Sequence, residues 1–131
     1  MAKLLFCEDS ESIRKLISNA MSQTPHEVLI AEDGRTGLAV VRSERPDMLI
    51  TDLLMPGLNG VELHDAIRSD PEVRDLPIVF LTASTHGDLM KVARDRPVPI
   101  LMKPFSPADL RRQINELLER SAIPTTPVTS S

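Results

Sequence analysis

Five short apolar runs alternate along this chain with segments of helical periodicity. The runs cover residues 3–7, 26–31, 48–52, 76–81 and 98–102. Short apolar runs bounded by turn-forming residues are typical of buried strands. Because strands that alternate with helices form a parallel sheet with helices on both faces, the chain is predicted to be one α/β domain.

The helical segments follow each strand and carry recognisable boundaries. Apolar residues recur at helical spacing between residues 13 and 21, and Pro46 stops the second helix. Residues 59–62 have the spacing of a capping box at the start of the third helix. A fourth helix is predicted over 84–95 and a fifth from residue 106. Pro99 predicts that the fifth strand lies at a sheet edge.

The composition excludes several classes of function. The 131 residues carry a net charge of -4 and include three Phe but no Trp or Tyr, which argues against a nucleic-acid partner. No apolar stretch reaches the roughly 18 residues of a membrane span. The single Cys7 is predicted to be a buried thiol, and we expect a cytoplasmic location. The three histidines lack ligand spacing and are expected at the surface.

Residues with reactive or charged side chains close four of the predicted strands. Glu8 and Asp9 follow the first strand, Asp52 ends the third, Thr82 closes the fourth and Lys103 follows the fifth. The carboxyl ends of parallel strands meet at one edge of a sheet, where ligands bind. Three carboxylates at one edge repel one another unless a cation is present, and such hard oxygen ligands suit Mg²⁺.

The lysine and the threonine add groups that bind an oxyanion. Lys103 can act as a point charge and Thr82 as a hydrogen-bond donor. A carboxylate beside a divalent metal and these two groups is equipped to attack phosphorus and become an aspartyl phosphate. The alternative is that these are turn residues and a solvated lysine, which would require four strand ends to agree by accident.

Four motifs resemble the signature of response-regulator receiver domains. They are Glu8-Asp9, Asp52 with Met55-Pro56 and Gly60 behind it, Leu81-Thr82-Ala83, and Lys103-Pro104-Phe105. The resemblance covers roughly residues 3–120, which predicts a receiver domain over 1–120 and a flexible Pro/Thr/Ser-rich tail over 121–131. It implies a flavodoxin-like (βα)5 three-layer sandwich with a sheet of strand order 2-1-3-4-5.

The resemblance also implies the roles of the site residues. Asp52 would take a phosphoryl group from a histidine kinase or a histidine phosphotransfer protein, while Thr82 and Lys103 would hold the phosphoryl oxygens. Asp9, Asp52 and the backbone carbonyl of Leu54 would ligate Mg²⁺ directly, and Glu8 would act through water. The expected function is that of a stand-alone switch that binds an unknown output protein through its fourth helix, fifth strand and fifth helix.

One position departs from the receiver pattern. Receivers commonly carry Tyr or Phe three residues before the lysine, and this chain has Ile100 there. Because isoleucine is stiff and has no ring to swing, we expect the loop 83–87 and the first turn of the fourth helix to transmit the signal instead.

Two other functions stay open at this point. One is a degenerate receiver that binds partners without phosphorylation, which the residue at position 100 keeps in play. The other is an enzyme on the same fold. A haloacid-dehalogenase-type phosphatase wants a second Asp where this chain has Leu54, and Glu8-Asp9 would repel a flavin phosphate. The chain is therefore predicted not to be an enzyme beyond its own phosphorylation and dephosphorylation.

Overall fold

Five parallel strands form one sheet at the centre of the computed structural model, which describes residues 1–82, 91, 93–103 and 106–120. The strands are β1 (Lys3–Cys7), β2 (Glu27–Ala31), β3 (Met48–Asp52), β4 (Ile78–Thr82) and β5 (Ile100–Met102). Their order in the sheet is β2-β1-β3-β4-β5, and all neighbouring pairs are parallel. The predicted fold class and strand order are confirmed.

Four helices are described over their full length: α1 (Glu11–Met21), α2 (Gly34–Glu44), α3 (Gly60–Arg68) and a C-terminal helix (Pro107–Arg120). Side chains at their amino ends satisfy free backbone N–H groups, as caps do. The α3 cap is a complete capping box, because Asn59 accepts from Glu62 N and the Glu62 carboxylate accepts from Asn59 N. The predicted start of the third helix is therefore confirmed.

The sheet separates two hydrophobic layers. Alternate residues of each central strand point to opposite faces, as the pleat requires. Leu4 and Phe6 of β1 pack with α1 and the C-terminal helix, whereas Leu5 and Cys7 pack with α2 and α3. Burial on both faces explains why β1, β3 and β4 are continuous apolar runs. The prediction that Cys7 is buried is confirmed.

Some boundaries differ from those expected. β5 begins at residue 100 rather than 98, although the Pro99 carbonyl still accepts from Phe80 N at 2.9 Å. Proline has no N–H to donate, so regular pairing starts after it, and β5 does lie at a sheet edge. Lys91, Ala93 and Arg94 are helical, but most of the helix predicted over 84–95 lies outside the described residues. So does the predicted tail, 121–131.

Among the described residues, no helix has both the length and the apolar character that are needed to span a membrane.

Candidate functional site

The carboxyl edge of the sheet brings together the residues that follow or end its strands. Glu8 directly follows β1, Asp52 is the last residue of β3, and Thr82 is the last residue of β4. Lys103 directly follows β5, and its backbone N–H donates to the Thr82 carbonyl at 2.8 Å. Because β1, β3, β4 and β5 are consecutive in the sheet, these four residues share one edge.

Lys103 lies between two buried carboxylates. Its Nζ is 2.7 Å from Glu8 Oε1 and donates a hydrogen bond to Asp52 Oδ2 at 3.1 Å. Glu8 is fully buried and Asp52 is 4% exposed. The other Glu8 oxygen, Oε2, accepts from Ser10 N at 3.1 Å. The ammonium therefore holds both carboxylates in place at the end of the sheet.

The acidic groups carry more negative charge than one ammonium offsets. Burial raises the pKa of Glu8 to about 7, and the charge of Asp52 adds to the increase while Lys103 opposes it. Burial also acts to lower the pKa of Lys103, but the contacts with Glu8 and Asp52 outweigh it and raise that pKa. Neutralisation of negative charge, by protonation of Glu8 or by binding of a cation, is therefore favourable at this site.

A metal ion fits the arrangement of the carboxylates. Glu8, Asp9 and Asp52 each offer one oxygen, and these atoms lie within 4.8 Å of one another. Among the described residues, the buried Asp52 Oδ1 has no hydrogen-bond partner, and a buried oxygen in that state is costly unless something binds it. The exposed Asp9 carboxylate makes no hydrogen bond or ion pair with any other residue that the structure describes. Hard carboxylate oxygens match the preferences of Mg²⁺.

The other residues that the sequence singled out are Thr82, Leu54 and Ile100. Thr82 is fully buried, and Leu54 is an exposed loop residue, 52% accessible, two positions after Asp52. Ile100 is half-buried in β5, opposite Phe80, and packs against the α2 and α3 layer. The loop 83–87, on which the predicted switch depends, lies outside the described residues.

Two residues support the site through contacts that the sequence did not predict. Gly60 begins α3 so close to β3 that a Cβ there would lie 2.2 Å from the Asp52 carbonyl oxygen. From the sequence, Gly60 was identified only as part of the receiver-like motif and of the capping-box segment 59–62, in which the cap is Asn59. Arg14 of α1 donates to the carbonyls of Glu8 and Asp9. The sequence did contain a signal that could have identified Arg14: it is a cationic residue in the first turn of a helix, where its charge opposes the helix dipole.

One histidine corrects the expectation of surface positions. His64 of α3 is only 6% exposed, its ring contacts Phe80, and its Nδ1 lies 2.8 Å from Asp65 Oδ1. The expectation was wrong because α3 directs this side chain toward the sheet. A single histidine in an amphipathic pattern does not show which face of the helix carries it. His64 lies outside the acidic site.

Comparison with known proteins agrees with this geometry. The sequence profile of the response regulator receiver domain matches residues 4–115, and the chain belongs to that family. It is similar to the chemotaxis protein CheY of Pseudomonas aeruginosa, with 31% identity over 120 residues that cover 90% of this chain and 97% of that protein. The structure of the chemotaxis response regulator CheY4 of Vibrio cholerae superposes with a TM-score of 0.81 at 34% identity, covering 90% of this chain and 99% of the other.

A second kind of relative is longer than this chain. The probable transcriptional regulator ycf27 of Cyanophora paradoxa is 33% identical over 135 residues, which cover 98% of this chain and 53% of that protein. The chain spans about half the length of the transcriptional regulators that it matches. The recognised resemblance to receiver domains is confirmed, and the two kinds of relative share that domain.

Proposed function

We propose that Asp52 is a phosphoryl acceptor and that its modification switches the contacts of this domain with other proteins. The observation that carries the proposal is the Asp52 carboxylate itself. One of its oxygens is held by Lys103 at 3.1 Å, while the other is buried without a hydrogen-bond partner among the described residues. A carboxylate with one oxygen fixed and the other unpaired can present the unpaired oxygen to phosphorus.

Phosphoryl transfer to Asp52 requires little covalent chemistry from the rest of the site. The free Asp52 oxygen forms a bond to phosphorus as the bond from phosphorus to the donor nitrogen of a phosphohistidine breaks, and the donor imidazole keeps that electron pair. Lys103 would then hold the phosphoryl oxygens as a point charge, and Thr82 would donate a hydrogen bond to them. The donor would be a sensor histidine kinase or a histidine phosphotransfer protein.

Mg²⁺ is the cation that we propose for the acidic cluster, where it would neutralise negative charge on the transferring group. Asp9, Asp52 and the Leu54 carbonyl would hold it directly. Glu8 is already paired with Lys103 and with Ser10 N, so its role would be indirect, through water. Replacing Asp9 with alanine should therefore weaken Mg²⁺ binding more than replacing Glu8, and equal losses would contradict this ranking.

Membership of the receiver family supports a wider assignment. We propose that the domain catalyses only its own phosphorylation and dephosphorylation, and that its output is a protein contact at the face formed by β5, the C-terminal helix and the segment 84–95. A stand-alone regulator in the cytoplasm is one form of this proposal. Mass measurement of the endogenous protein in its source cells distinguishes that form from a receiver within a longer regulator.

The decisive experiment maps the adduct. The protein is incubated with acetyl phosphate and Mg²⁺ and is then analysed by peptide mass spectrometry after borohydride trapping. Borohydride reduces an aspartyl phosphate to homoserine and releases the phosphate, so we expect homoserine at position 52 in the wild type and none in an Asp52→Asn variant. Asp47→Asn, a change in an exposed carboxylate after α2, should still give homoserine at position 52. An undiminished adduct in Asp52→Asn would refute the assignment. Absence of any adduct, with partner binding intact, would instead support a degenerate receiver.

A further inference from the structure

Arg14 lies in an unusual place for a cation. It is the fourth residue of α1, within the first helical turn, where the helix dipole disfavours positive charge. Its side chain is only 22% exposed. Helical side chains lean toward the amino end of their helix, so this guanidinium returns to the loop between β1 and α1. Some other interaction must offset the unfavourable position.

The interaction is with the backbone of the acidic loop. Arg14 Nη1 donates to the Glu8 carbonyl at 3.1 Å and to the Asp9 carbonyl at 2.8 Å. Its Nη2 is 3.8 Å from Glu32 Oε2, but Glu32 is 75% exposed, and an exposed pair of that kind contributes little. The two carbonyls are therefore the principal partners of this side chain.

These hydrogen bonds complete the anchoring of a short loop. Glu8 N donates to Ala31 O of β2 at 3.0 Å, and Ser10 N donates to the Glu8 carboxylate at 3.1 Å. Without Arg14, the carbonyls of residues 8 and 9 would have no partner among the contacts described here, and the peptide planes on either side of Asp9 could rotate. Such a rotation would swing the Asp9 carboxylate away from Glu8 and Asp52.

We propose that Arg14 is a positioning residue for the metal site: by fixing the Glu8 and Asp9 carbonyls, it holds the Asp9 carboxylate within the acidic cluster. This inference rests on the proposed Mg²⁺ function of that cluster. Outer partners that orient metal ligands typically change metal affinity by about 10- to 100-fold when they are removed. Arg14 orients through the backbone and needs no contact with the ion.

Positioning and simple electrostatics predict opposite results. A positive charge near a cation site repels the incoming ion, so removing it should strengthen Mg²⁺ binding or leave it unchanged. Removing a positioning residue should weaken binding. Lys15 provides the matched control, because it is the adjacent residue, carries the same charge, is 79% exposed and pairs with Glu11 at 4.0 Å.

The test is a Mg²⁺ titration of the full chain followed by amide NMR, in wild type, Arg14→Met, Arg14→Lys and Lys15→Met. We expect Arg14→Met to raise the Mg²⁺ dissociation constant by about tenfold, and Lys15→Met to leave it within about twofold or lower it. Arg14→Lys should give an intermediate value, since a point charge cannot reproduce a planar donor. In metal-free Arg14→Met, the Ser10 amide should exchange faster with solvent.

The contrary results are equally distinct. Mg²⁺ binding by Arg14→Met that is as tight as in wild type, or tighter, would overturn the inference while leaving the proposed function intact. If Arg14→Met does not fold, Arg14→Lys decides, and a wild-type dissociation constant in that variant would overturn the inference. Failure of the wild-type protein to bind Mg²⁺ would contradict the proposed function as well, and the phosphorylation map of Asp52 separates these cases.

Discussion

Replacing Gly60 with alanine should damage both the stability of this domain and the chemistry of its site. An added Cβ would lie 2.2 Å from the Asp52 carbonyl oxygen and 2.9 Å from Leu53 Cα. Because Cβ atoms almost never approach other atoms within 3.0 Å, α3 and β3 must separate by about 0.8 Å. Both neighbours are backbone atoms, so no side-chain rotation can relieve the contact.

The size of the effect follows from two opposing terms. Overpacking of this kind costs about 1–3 kcal/mol, whereas the reduced entropy of the unfolded chain returns about 0.4–1 kcal/mol. The two ranges combine to a net loss of about 0–2.6 kcal/mol in the free energy of unfolding, with a midpoint of about 1.3 kcal/mol. The Asp52 backbone must move as well, and a displacement of about 1 Å at a reacting group can cost on the order of 100-fold in rate. A fall of at least about tenfold is expected.

Urea denaturation and the rate of phosphorylation by acetyl phosphate measure the two effects in the same samples. Gly37→Ala is the matched control, since its Cβ would also be too close to a neighbour, at 2.4 Å, but that neighbour is the Cys7 sulfur in the core. Its stability should fall while its phosphorylation rate stays near that of wild type. A Gly60→Ala protein within about 0.5 kcal/mol of wild type, with an unchanged rate, would refute the reasoning.

Three further outcomes are expected. Adding Cys7→Ala to Gly37→Ala should recover part of the lost stability, because the smaller side chain makes room for the new methyl group. No recovery in urea denaturation would show that contacts with other atoms cause the loss of stability. Arg45 caps the end of α2 with a φ of 48°, and its Nη1 and Nη2 donate hydrogen bonds to Glu72. Arg45→Gly loses these bonds but relieves the backbone strain, so its free energy of unfolding should stay near that of wild type. Arg45→Ala should be about 1 kcal/mol less stable than Arg45→Gly. Equal stability of those two variants would exclude backbone strain at this position. Burial lowers the pKa of His64 below its usual 6.5, so the unfolded chain binds this proton first and the contribution of His64 to stability falls as pH drops below 6.5. The wild type should therefore lose stability relative to His64→Gln over that range, and a constant difference between the two proteins would contradict the reasoning.

Structural features that depend on residues close together in the sequence could be predicted from the sequence alone. The apolar runs of β1, β3 and β4 are continuous because each strand is buried on both faces, so their positions were readable without a structure. The capping box at Asn59 and Glu62 involves residues three apart, and its spacing was sufficient. The polar residues at the strand ends also marked the edge where the site would form.

Strand order required more than local pattern. Alternating strands and helices are compatible with several parallel sheets, and the order 2-1-3-4-5 was expected from the resemblance to receiver domains rather than from periodicity. The structure shows the consequence of that order, because it places Lys103 within 3.1 Å of a carboxylate 51 residues earlier in the chain. The start of β5 at residue 100 was missed because Pro99 lacks the N–H on which regular pairing depends.

Only the tertiary structure revealed which side chains support the site. The carbonyl partners of Arg14, the approach of Gly60 to the Asp52 carbonyl and the burial of His64 all depend on where separate elements meet. Residue type and spacing indicate how a segment folds, since the forces involved act within one or two turns of chain. Contacts between segments form when the layers pack, and differences of a few tenths of an ångström in packing distance determine which side chains meet.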